Sequence, residues 1–163
     1  MSFDGCGSAR GTPGRLHFPP DPESDVMLQY LYVALGSAVG GVARWSLGGF
    51  IQRRVRDSAP GVAMAFPLGT LAVNVSGSFL LGLILMYVAR HGDEGGAWRL
   101  LLAVGFCGGY TTFSTFSADT VALVESGATG AAALNVAASL ALSFAATFGG
   151  IVLGRALWGA TAA

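Results

Sequence analysis

Between Leu28 and Trp158 the chain carries four apolar stretches, over about 28–51, 66–89, 98–124 and 128–158. Each is close to or longer than the ~20 residues a helix needs to cross a hydrocarbon core ~30 Å thick. Charged residues make up 11% of the sequence, against about 25% in an ordinary soluble domain. Hydrophobic residues make up 53%. In lipid every backbone N–H and C=O must be satisfied internally, so a spanning chain is either helical or a closed barrel. The alternating pattern of a barrel strand is absent, which leaves four helices. The fold class expected is all-α integral membrane, in one domain, with both termini on the same side.

Residues 1–26 differ in kind. They hold Pro13, Pro19, Pro20 and Pro22, two of the nine arginines and four of the nine acids. No apolar run of signal-peptide length is present, and the composition buries too little surface to order itself. A flexible tail is expected there, with the membrane domain running over 27–163 and the working protein starting near Met27. The nine arginines are matched by nine acids, so no basic field favours nucleic acid. Cys6 and Cys107 have no neighbouring ligand partner, which excludes a zinc site or disulfide scaffold. His17 lies in the tail and His91 in a polar connector. No nucleophile–base pair, metal cluster or phosphate loop is present, so the chain is not expected to be an enzyme.

Small residues recur four apart at Gly36 and Gly40, Gly105 and Gly109, and Gly150 and Gly154. That spacing lets helix backbones approach closely in lipid, where packing drives association. Orientation should follow the arginine excess of cytoplasmic loops. From Met27 onward Arg90, Arg99 and Arg155 fall on the side of the termini, and Arg53, Arg54 and Arg56 on the other. Three against three predicts insertion both ways round, and four helices are few to enclose a pathway, so an antiparallel homodimer is expected. The alternative is that Arg10 and Arg15 in the tail tip the balance toward termini inside.

Polar groups within a span are costly and therefore informative. Asn74 and Ser78 lie four apart on one face of the second span; such an asparagine is either interhelical glue or a functional donor. Asn135, Ser139, Ser143 and Thr147 form a stripe down one face of the fourth, facing either a partner helix or a water-accessible path. The third span reads Gly105-Phe106-Cys107-Gly108-Gly109-Tyr110-Thr111-Thr112-Phe113-Ser114-Thr115-Phe116-Ser117. Paired glycines and clustered hydroxyls predict a broken helix, whose freed carbonyls need protein, water or an ion. Phe113 and Phe116 share a face if helix resumes there. They are packing residues, or their electropositive ring edges serve a dehydrated anion. Cys107 reads as a small packing residue, and Asp119 is the only acid well inside a span.

Three segments resemble the CrcB, or Fluc, family of fluoride channels: Gly40-Gly41-Val42-Ala43-Arg44-Trp45, Gly69-Thr70-Leu71-Ala72-Val73-Asn74 with Gly77, and Gly108 to Ser117. The likeness runs in order and spacing from Met27 to Trp158. It implies passive, fluoride-selective efflux across the cell membrane, conferring fluoride resistance, by an antiparallel dual-topology homodimer with two pores and a central Na+. By position, it implies that Asn74 is the pore amide, Phe113 and Phe116 the aromatic contributors, and Ser139 and Ser143 the polar track. The backbone carbonyls of Gly108 and Thr111 from both subunits would hold the Na+, and Arg44 would guide anions from a vestibule or anchor the first helix. Two positions depart from the family pattern: Asn135 stands where a tyrosine is expected, and Asp119 where a glutamate is.

Two rivals differ in class. A small dual-topology drug/proton exchanger needs an early membrane carboxylate, and residues 28–42 contain no acid. A scaffold subunit accounts for the glycines but leaves the polar stripe and the helix break without a role.

Overall fold

The computed structural model of the chain describes residues 22–59, 66–92 and 96–159, all of them helical apart from short connections. α1 spans Pro22–Ser58 and α2 Leu68–His91. α3 comprises Arg99–Cys107, wound as a π-helix, and its direct continuation Gly108–Tyr110. α4 spans Phe113–Glu125 and α5 Thr129–Trp158. Four helical units, with α3 and α4 counted together, are long and apolar enough to cross a membrane. The first 21 residues, most of the expected tail, lie outside the described residues.

α1 is longer than its apolar stretch at both ends. It starts at Pro22, so the last residues assigned to the tail are helical, with proline at the first helical position, where its missing N–H costs nothing. It then runs through Arg53, Arg54 and Arg56. Apolarity marks the part of a helix that lipid covers; arginine is itself a good helix former and extends the coil into the headgroups. At 37 residues α1 is about 55 Å long. Gln52 on this last stretch pins the next element. Its Oε1 accepts from the Gly69 N–H at 3.0 Å, an orphan donor at the start of α2, and its Nε2 donates to the Phe66 carbonyl at 3.3 Å.

The helices pack as two glycine-seated pairs. α1 lies against α3, where a Cβ on Gly36 would run into the Leu101 carbonyl and one on Gly40 into the Phe106 carbonyl; from the other side, one on Gly109 would meet Ser37. α5 lies against α2, with Gly150 on the Phe79 carbonyl and Gly154 on the Met86 side chain. All three glycine pairs of the sequence therefore sit at close helix contacts, Gly154 alone of the six against side chains. α2 also touches α1 and bridges the two pairs. At the end where α2 and α5 finish together, Arg90 Nε donates to the Trp158 carbonyl at 2.9 Å. α4 turns into α5 at Gly127, whose φ of 79° only glycine adopts without strain.

Much of the apolar surface faces outward, including Phe113, Phe144 and Phe148. In lipid that arrangement is expected, since solvent and core are equally apolar.

The seating gives a paired test. Gly40→Val should destabilise the purified protein by about 1–3 kcal/mol through overpacking, lowering its thermal midpoint in detergent. Gly41→Ala should leave the midpoint unchanged or raise it slightly, because nothing lies within 4 Å of a Cβ built there and alanine is the better helix former.

Candidate functional site

The break in the third span falls at Thr111 and Thr112, both extended, with φ/ψ of −81°/158° and −151°/115°. The paired glycines do not break the helix. Gly108 and Gly109 are still helical, and the π-wound turns lie before them. What holds Thr112 extended is an amide from the neighbouring helix, while the Thr111 N–H still donates to the Cys107 carbonyl. Asn74 Oδ1 accepts from the Thr112 N–H at 2.7 Å, and its Nδ2 donates to the Thr112 carbonyl at 3.0 Å. One side-chain amide thus pairs with both polar groups of one residue, as a strand neighbour would. Gly77, one turn further along α2, leaves room for the Thr111 methyl and the Tyr110 ring.

Thr112 then restarts the helix. Its Oγ1 accepts from the Thr115 N–H at 3.1 Å and caps α4. Two regular i→i+4 bonds are replaced in consequence. The donor that would serve the Gly108 carbonyl is the Thr112 N–H, which Asn74 takes; the donor that would serve the Thr111 carbonyl is the Thr115 N–H, which the Thr112 hydroxyl takes. The carbonyl-bearing end of α3 therefore faces the amide-bearing start of α4 across two residues. The first carries partial negative charge and the second partial positive charge.

Tyr110 fixes the near side of the break. The Ser76 hydroxyl donates to the Ala72 carbonyl at 2.8 Å, so the 2.9 Å contact between Ser76 and Tyr110 is donated by the tyrosine. The Tyr110 ring stacks on Phe106, with centroids 5.5 Å apart.

Two grooves flank the break. The first, of about 280 Å³, is lined by Asn74, Phe113, Phe116, Ser139 and Ser143, together with Ser78 and Thr111. The structure thus brings together the five residues assigned to the pore from sequence. The Phe113 and Phe116 ring centroids are 5.4 Å apart, tilted by 46°. The Phe113 side chain is 77% exposed, so the groove is open along one side.

The second groove, of about 550 Å³, contains Arg44, Gln52, Arg53, Thr70 and Asp119, and it shares Thr112 with the first. Arg44 therefore lies across the break from the phenylalanines. Asp119 Oδ2 accepts from the Thr70 hydroxyl at 2.7 Å, a tie between α4 and α2.

The α5 stripe divides by role. Ser139 and Ser143 face the first groove. The Thr147 hydroxyl folds back onto the Ser143 carbonyl at 3.0 Å. Asn135 is 1% exposed and donates to Thr120 Oγ1 at 2.8 Å. The pairings of Thr112, Gln52 and Thr120 were not foreseen from sequence. Their only signal was that a buried hydroxyl or amide in a span must find a partner, and sequence does not say which.

Among the described residues no group of three or more His, Cys, Asp or Glu side chains could hold a metal.

The family model described as "CrcB-like protein, Camphor Resistance (CrcB)" matches residues 31–151. A protein of Agrobacterium fabrum named fluoride-specific ion channel FluC is 45% identical over 132 residues, covering 81% of this chain and 100% of its own. FluC of Rhizobium etli is 46% identical over 131 residues, covering 80% and 99%. FluC of Acidobacterium capsulatum is 43% identical over 128 residues, covering 78% and 97%. With the model spanning all four helical units and these relatives aligned over nearly their whole lengths, this multi-pass membrane protein is a member of the CrcB family of ion channels.

Proposed function

We propose that the chain conducts fluoride passively and selectively across the cell membrane, as a homodimer whose two copies insert in opposite orientations. The observation that carries this reading is the single groove bearing Asn74, Ser139, Ser143 and the Phe113–Phe116 pair, in a chain whose relatives are named fluoride-specific channels. Fluoride holds its water tightly, so a pore must replace that hydration with donors. Asn74 uses one Nδ2 proton on Thr112 and has a second. Ser139 and Ser143 add hydroxyls along the same wall. Phenyl edges are electropositive, and the start of α4 adds a partial positive charge beside them. Arg44, in the larger groove, raises anion concentration at the approach.

A second copy is supported by the open side of the groove and by the exposure of Gly108, beside which nothing lies within 4 Å of a Cβ position. The balanced arginines support insertion both ways. The carbonyls of Gly108 and Thr111, whose regular helical donors are engaged elsewhere, fit a hard cation such as Na+. Carbonyls from both subunits would hold it, and its charge would offset the backbone dipoles where the copies meet. Surrounding lipid is the remaining partner.

Liposomes containing the purified protein should release fluoride and retain chloride; equal release of both anions would remove fluoride selectivity. Phe113→Ile and Phe116→Ile keep apolar bulk but lose the ring edge. Each should slow fluoride release, from a few-fold to about tenfold, with assembly intact. Normal release from both would make the rings packing elements.

Orientation is tested with one cysteine placed in the Arg53–Arg56 segment of a Cys6→Ser, Cys107→Ser protein. About half of the molecules should label from each side of the membrane. Labelling from one side only would exclude the antiparallel pair and, with it, the symmetric cation site.

A further inference from the structure

We infer that Asn135 and Thr120 are positioning residues for Phe116, and that Asn135 acts on the groove without touching what passes through it. Asn135 begins the α5 polar stripe, and by sequence alone it belongs with Ser139 and Ser143. The structure separates it from them. It is 1% exposed and is absent from the groove that those serines line. Its Nδ2 instead donates to Thr120 Oγ1 at 2.8 Å, and the Thr120 hydroxyl donates to the Phe116 carbonyl at 2.7 Å. The direction of the relay is fixed at its far end: a carbonyl can only accept, so the threonine spends its proton there and accepts from the amide.

The consequence follows from how α4 is held. The break disconnects it from α3, so its rotation about its own axis is not inherited from the preceding helix. Beyond its packing against α5, three polar ties set it. Asn74 grips Thr112 at the cap, Thr70 reaches Asp119, and Asn135 reaches Thr120. The first and last ties are eight residues apart, about 12 Å along the axis. Together they fix both the position and the rotation of the turn carrying Phe113 and Phe116. A 20° rotation would swing a ring at the helix surface by about 2 Å, enough to turn its edge away from the groove. Asn135 thus sets the direction of the Phe116 ring through one hydroxyl and one carbonyl. The inference rests on the reading of this groove as the fluoride path.

The test uses Asn135→Leu, Thr120→Val, the double variant and Thr120→Ser in the full chain, with fluoride release from liposomes as the first readout. Asn135→Leu and Thr120→Val should each slow release by about tenfold. The double variant should be no slower than either alone, because both break the same relay. Thr120→Ser keeps the hydroxyl and should restore release.

A second readout is independent of transport. Phe116→4-cyanophenylalanine places a nitrile at the ring edge. Its infrared band should shift in the Asn135→Leu and Thr120→Val backgrounds and remain in place with Thr120→Ser. Additive losses in the double variant, or slow release by Asn135→Leu with normal release by Thr120→Val, would overturn the relay. So would a nitrile band that does not move. Failure of the unmodified chain to release fluoride would instead overturn the function of the groove, leaving the nitrile measurement to decide the positioning role alone.

Discussion

Two peptide groups leave the helix ladder in the middle of a membrane, and one asparagine makes that tolerable. An unsatisfied N–H or C=O in hydrocarbon costs several kcal/mol, so an extended Thr112 could not persist beside apolar side chains alone. A side-chain amide has the one donor and one acceptor needed to pair with a peptide unit, and Asn74 uses both on the same residue. Everything distinctive at the centre of the molecule follows from this pairing. It releases the Thr112 hydroxyl to cap α4, gives α4 its own N-terminus, and diverts the donors that would have covered the Gly108 and Thr111 carbonyls. Positive and negative helix ends are then brought face to face within one turn of chain.

The frame around the break is built differently. α1 with α3, and α5 with α2, meet backbone to backbone at glycines. Packing of this kind needs no polar groups and tolerates little substitution. α4, the helix that carries the phenylalanines, combines packing against α5 with hydrogen bonds to α2 and α5. Hydrogen bonds have a preferred direction, so such ties favour one rotation of a short helix. The exposed Phe113 ring and the open groove lie on this part of the molecule.

Most of this architecture was legible in the sequence because lipid makes the rules strict. The spans followed from apolar length, the close helix contacts from Gly36, Gly40, Gly105, Gly109, Gly150 and Gly154, and the presence of a break from Gly108 to Ser117. The resemblance to the CrcB family is what singled out Asn74, Phe113, Phe116, Ser139 and Ser143 together, and the structure places them on one groove. What could not be read was partner choice. Gly108 and Gly109 looked like the breakers, yet they remain helical while Thr111 and Thr112 are extended. A glycine permits a break, whereas a cross-helix amide dictates where it falls. Asn135 shared its helix face with the groove serines, but a one-dimensional stripe cannot show that α4 covers its first residue. The extension of α1 through Arg53, Arg54 and Arg56 was missed because hydropathy measures lipid contact and not helix length.

The most direct test of this account is fluoride release by Asn74→Ala, measured in liposomes alongside helix content and dimer assembly of the same preparation. On the proposed reading, in which the amide serves the passing anion as well as the break, its loss is worth about 1.5–3 kcal/mol. Release should therefore fall by about tenfold or more while the protein remains helical and assembled, because the glycine-seated helix pairs within each chain do not involve the amide. Near-normal release from an intact Asn74→Ala protein would contradict the account, since the break and the conduction path would then exist without the amide on which both are argued to depend.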